Sequence, residues 1–90
     1  MRADGEWFVY VLLSDVARRS YVGIAQDVEQ RLRQHNVGRV ASTRTARPWR
    51  VVYVETVGEY AEARRRETYF KSAAGRRRLK SIFAGMAAER

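Results

Sequence analysis

The sequence predicts an α+β domain: a small three-stranded antiparallel sheet flanked by three helices, in the order β-β-α-β-α-α. Three observations carry that reading. An unbroken apolar run, Trp7 to Leu13, is followed across a short polar stretch by a second β-branched segment, Tyr21 to Ile24. At Asp27 the hydrophobic period changes from strand-like to helical. Beyond Pro48, one more strand-like segment precedes two stretches whose apolar residues recur at helical spacing. Ninety residues suit one domain, since domains usually run about 100–200 residues, with the core over residues 7–83.

Each element has its own warrant. Trp7 to Leu13 is β-branched and aromatic without alternation, as in a strand covered on both faces. Ser14 to Ser20 is polar and short, a hairpin connection, so Tyr21 to Ile24 pairs antiparallel with the first strand. Val28, Leu32 and His35 share one helical face, with Asp27 and Gln30 in a capping arrangement and Asn36 and Gly38 as the stop. Residues 37–48 read as a polar loop, and Trp49 to Val57 as a third strand ended by Gly58. Glu59 to Ser72 is a helix with Tyr60, Ala63, Glu67 and Phe70 on one face. After Gly75 a last helix carries Leu79, Ile82, Phe83 and Met86 at i, i+3, i+4, i+7.

Composition excludes several chemistries. Without cysteine there is no disulfide framework, iron–sulfur cluster or thiolate zinc. A single histidine excludes a histidine-rich site, so a metal here must rest on carboxylates and be a hard ion. No stretch reaches the roughly 18 apolar residues of a membrane span. The N-terminus carries Asp4 and Glu6 and no small-residue cleavage site, which does not read as a signal peptide. A soluble, cytoplasmic protein with no membrane partner is expected.

The formal net charge of +8 is unevenly placed. Residues 1–30 hold three arginines against five acids, whereas residues 31–90 hold fifteen Lys or Arg against five glutamates. Sixteen of the eighteen cations are arginine, the side chain that grips phosphate in a two-pronged fashion. A polyanionic partner follows, nucleic acid before membrane; plain surface charge is the alternative.

Some residues do not sit where packing alone would put them. Glu67 falls within about 60° of Tyr60, Ala63 and Phe70 on a helical wheel. A carboxylate there must be partnered, bind a metal or lie at the stripe's edge; an i,i+4 pair with Lys71 is the plainer reading. Arg31 borders the buried stripe of its helix and can reach an anion, or is one more exposed arginine. His35 lies near the helix C-terminus, as a cap or a catalyst. Tyr10 and Tyr21 share a sheet face in any register whose opposite residues sum to an odd number, and Gly23 on that face leaves room for an approach to the backbone.

These residues, in this order, resemble the GIY-YIG nuclease family, most closely its small stand-alone bacterial branch. The first triplet reads Val9-Tyr10-Val11 and the second Tyr21-Val22-Gly23, eleven residues from tyrosine to tyrosine. The family's helix arginine matches Arg31, its next polar position His35, and its metal-binding glutamate Glu67. The first triplet lacks its glycine and isoleucine, and Ile24 stands where some members place a basic residue.

The resemblance implies hydrolysis of a phosphodiester with a single divalent ion, Mg²⁺ or Mn²⁺, held by Glu67. Arg31 would stabilise charge on the phosphate. Tyr10 would position the phosphate or the water network, and Tyr21 would orient or deprotonate the attacking water. A free phenol titrates near pH 10, so Tyr21 needs help from the ion or Arg31, and His35 could share the base role. Gly23 and Lys71 border the site. Arg39, Arg44 and Arg47, in a segment from Arg31 to Arg50 with six arginines and no acid, would track the sugar–phosphate backbone. The expected activity is a metal-dependent endonuclease acting on DNA rather than RNA, single-stranded or structured, in repair or recombination, as a monomer or weak homodimer. The alternative is a non-catalytic basic nucleic-acid-binding module.

Overall fold

The structure is a computed structural model that describes residues 5–88; the N-terminal reading made from Asp4 lies outside them. Strand β1 (Trp7–Ser14) is the middle of a sheet ordered β2-β1-β3, between β2 (Arg19–Ala25) and β3 (Arg50–Gly58), with both pairings antiparallel. Its central position explains the missing alternation. Val9, Tyr10, Val11 and Leu12 are each at most 1% exposed. Successive side chains point to opposite faces, so the strand feeds two cores. On one face Val9 and Val11 pack with Val22 and with Ala63, Phe70 and Leu79 from helices α2 (Tyr60–Lys71) and α3 (Ala73–Ala88). On the other, Tyr10 and Leu12 pack with Ala25, Ala46 and Trp49 beneath helix α1 (Val28–Asn36), which contributes Val28 and Leu32. The expected α+β order β-β-α-β-α-α is therefore present.

The helix ends follow local chemistry. The Asp27 carboxylate accepts from the Gln30 amide at 3.0 Å, satisfying one of the free N–H groups at the start of α1. Glu59 and Ser72 flank α2 as its caps. Arg66 donates to both oxygens of Glu55 at 3.1 and 3.0 Å, tying α2 to β3. The third helix starts at Ala73, not after Gly75. Gly75 is part of its first turn and lies against the backbone of Tyr69 and Phe70, where a Cβ has no room. Among the described residues no helix is long and apolar enough to cross a membrane.

The stretch expected to be a polar loop, residues 37–48, has a packed inner side. It contains a single 3₁₀ turn, Arg44–Ala46, and buries Thr43 and Ala46. Trp49 closes it rather than opening β3, because its amide donates to the Asn36 side chain at 2.7 Å instead of to the sheet. The Trp49 indole donates to the Thr43 carbonyl at 2.9 Å. His35 is the tether: fully buried, it bonds Thr43 Oγ1 through Nδ1 at 2.8 Å and the Tyr10 hydroxyl through Nε2 at 2.9 Å. Thr43 gives its own proton to the Val40 carbonyl. It therefore accepts from Nδ1–H, which leaves Nε2 to accept the Tyr10 proton. His35 is thus no helix cap, a place taken by Val37.

Burial first, and the Arg31 charge second, lower the His35 pKa from 6.5 to about 4. The unfolded chain takes up this proton near pH 6.5 and the folded one only near pH 4. The stability due to neutral His35 is complete above pH 6.5 and is lost as pH falls from there to 4. In urea denaturation across that window the parent should lose about 3 kcal/mol more than His35→Gln; parallel curves would refute the tether. Gly23 lies opposite Tyr10, and a Cβ there would sit 2.5 Å from the Tyr10 hydroxyl oxygen. Gly23→Ala should therefore destabilise by about 1–3 kcal/mol, read from the same midpoints, with an unchanged midpoint as the contrary result.

Candidate active site

Residues from four elements act on the Tyr10 hydroxyl, by contact or by charge. Tyr10 comes from β1, Tyr21 and Gly23 from β2, Arg31 and His35 from α1, and Glu67 from α2. The pairing of Tyr10 with Gly23 gives the register that sets Tyr10, Tyr21 and Gly23 on one face. The room above Gly23 is filled from within by the Tyr10 phenol rather than left open to a ligand.

Burial is the main cause that pushes the Tyr10 pKa up to about 12. Hydrogen bonding and charge from Arg31 oppose the shift, while Tyr21 and the Glu67 carboxylate add to it. At neutral pH this phenol keeps its proton, donates it to His35, and turns its lone pairs towards Arg31. Tyr10, expected to position the phosphate or the water network, and His35, expected to share the base role, are 1% and 0% exposed. An imidazole with both nitrogens bonded has no lone pair for a water molecule.

The surface belongs to Tyr21, Arg31 and Glu67, all half-buried. The Tyr21 ring meets His35 edge-on, with centroids 4.9 Å apart, and stands 6.4 Å from both Tyr10 and Trp49. Arg31 donates to Gln34 Oε1 at 2.7 Å. It lines a shallow depression of about 420 Å³ with Trp7, Asp27, Gln30 and Gln34. The Glu67 side chain is 14% exposed, with Lys71 Nζ 3.2 Å from Oε2 and Arg64 Nη1 3.5 Å from Oε1. The i,i+4 pair with Lys71 is therefore present, and so is the stripe position, between buried Ala63 and Phe70.

The carboxylate offers oxygen donors alone, and the described residues contain no group of three His, Cys, Asp or Glu able to hold a metal. That donor set fits a hard ion such as Mg²⁺, which keeps several waters and takes one or two carboxylates together with substrate phosphate.

Arg39, Arg44 and Arg47 stay on the exposed outer side of the 37–48 segment, apart from this cluster. Arg47 folds back, donating to the Arg44 carbonyl at 2.8 Å and covering Gly38. Thr43 and Gln34 were missed by the sequence reading. Thr43 fixes the His35 tautomer and Gln34 orients Arg31. Gln34, three residues beyond Arg31 on a helix, carried a readable signal; Thr43, in an irregular segment, carried none.

A family model described as the GIY-YIG catalytic domain matches residues 6–80. A UPF0213 protein of Staphylococcus saprophyticus is 38% identical over 66 residues, covering 72% of this chain and 80% of that one. A UPF0213 protein of Staphylococcus epidermidis is 37% identical over 79 residues, 87% of this chain and 95% of the relative. The solution NMR structure of the UPF0213 protein BH0048 from Bacillus halodurans is similar at a TM-score of 0.52 and 30% identity, covering 86% of this chain and 84% of that one. The model match runs from the first strand into α3, through every residue of the cluster, and by it the chain belongs to the GIY-YIG nuclease family.

Proposed function

We propose that the chain is a metal-dependent endonuclease that hydrolyses phosphodiester bonds in DNA. The observation that carries the reading is the buried, hydrogen-bonded Tyr10–His35 pair with the Tyr21 ring against it, on whose phenol the charges of Arg31 and Glu67 both act. Glu67 would hold the divalent ion in place of its pairing with Lys71, whose ammonium would then be free for the phosphate. The ion, when bound, supplies positive charge for the phosphoryl oxygens and the leaving alkoxide.

Arg31 takes the non-bridging oxygens, its guanidinium already aimed by Gln34. Tyr21 orients the attacking water through its hydroxyl oxygen; as the water oxygen bonds to phosphorus, the bond to the alkoxide breaks and the water's proton passes through solvent to the departing oxygen. Tyr10 and His35 are positioning residues. The His35 acceptor turns the Tyr10 proton inward, so that the phenol oxygen can hold Arg31.

The test uses labelled single-stranded, duplex and branched DNA, and RNA, with Mg²⁺, Mn²⁺ or a chelator. Cleavage of DNA should require the metal. Glu67→Ala and Arg31→Ala should each lower the rate by about a hundredfold or more, with near-UV circular dichroism unchanged. Arg31→Lys should not restore it, because an ammonium lacks the planar fork. Parental rates in both alanine variants would overturn the site. Binding without cleavage under either metal would favour the non-catalytic module.

A further inference from the structure

A second concavity lies away from the Arg31 depression. A groove of about 900 Å³ runs between the β1–β2 hairpin and the α2–α3 pair. Its rim carries Arg18 and Arg19 from the hairpin, Lys71 from the end of α2, and Arg76 and Lys80 from α3. Arg76 and Lys80 are four residues apart, on one helix face. Arg18, Arg19, Arg76 and Lys80 are exposed and take part in no ion pair among the described residues. The acid on the rim, Asp15, is engaged by Arg50 through both oxygens, at 2.8 and 3.2 Å. The groove is therefore strongly positive.

Its floor has the opposite character. Leu13, Val22, Phe70, Leu79 and Phe83 line it, and Phe83 is half-exposed. Several cations beside an apolar floor whose accessible aromatic is Phe83 complement a chain with repeating anions and flat apolar faces. A single-stranded polynucleotide has both, since its phosphates can reach the rim while unpaired bases lie on the floor. A duplex keeps its bases stacked inside and would leave the floor bare. Tyr21 and Lys71 line the groove as well, so it opens directly onto the cluster around Glu67.

We infer that this groove binds the single-stranded flank of a nucleic acid, with phosphates on Arg18, Arg76 and Lys80 and a base against Phe83, and leads it to Tyr21. The inference rests on the nuclease reading for its direction but not for its test. Arg18 makes a clean probe. It sits in the left-handed region at φ 57°, which glycine adopts more readily, so Arg18→Gly removes the charge while suiting the turn.

The experiment is fluorescence anisotropy of a labelled 20-nucleotide single strand and its duplex, in chelator, over a salt series. The parent should favour the single strand. Arg76→Ala combined with Lys80→Ala should lower the magnitude of the slope of log K against log salt by about 1.4, and Arg18→Gly by about 0.7. Phe83→Leu should weaken single-strand binding roughly fivefold, with duplex binding unchanged. Unchanged slopes in the charge variants, or tighter duplex binding with equal losses, would overturn the groove assignment. So would loss of binding to phosphatidylserine vesicles in the same variants with single-strand binding intact. If the groove variants lose binding while no protein cuts any substrate, the groove stands and the nuclease reading falls.

Discussion

The burial of β1 on both faces is the constraint from which the rest follows. A strand with Val9, Tyr10, Val11 and Leu12 all inside must have a helical layer on each side. Three of these side chains are hydrocarbon and ask only for packing. The fourth carries a hydroxyl, and a buried hydroxyl without a partner costs roughly 1–3 kcal/mol. His35 supplies the partner, which obliges α1 to lie over Tyr10. The other nitrogen of His35 then needs its own partner and draws Thr43, and with it the 37–48 segment, onto the sheet. Trp49 and Asn36 close the same segment from the other side. One polar atom in the central strand thereby organises an entire face of the molecule.

The electrostatics of the cluster follow from that arrangement. Arg31 acts on both members of the buried pair, opposing protonation of His35 and favouring ionisation of Tyr10. Burial outweighs it at Tyr10 and reinforces it at His35, so both groups remain neutral around pH 7. The neutral pair forms an inner layer beneath an outer one of Tyr21, Arg31, Glu67 and Lys71. In the proposed chemistry only the outer layer meets substrate, while the inner layer determines where the outer one can stand.

Much of this was legible in the sequence because the signals were local. Asp27 and Gln30 announced the start of α1, Glu59 and Ser72 the limits of α2, and the unalternating run of β1 its double coverage. The odd-sum rule put Tyr10 and Tyr21 on one face before any register was known. The features that escaped were contacts between residues far apart in the chain. Tyr10 and His35 are 25 residues apart, and nothing local says that a helix histidine turns inward rather than towards solvent. The place of Gly23 was read correctly as a close approach, but the approaching group is the chain's own phenol. The basic loop was judged by its arginines, although its buried Thr43 and Ala46 decide its shape.

Gly75 bears on more than the start of a helix. The α2–α3 corner is a contact of main chain on main chain, tighter than any side chain would permit. That contact constrains how the two helices meet, while Leu79, with Ile82 and Phe83 beside it, seats α3 on the core. Substitutions at Arg76 or Lys80, both exposed, can alter the charge of the adjoining groove without disturbing that contact. The helix is a fixed jaw whose exposed teeth are replaceable.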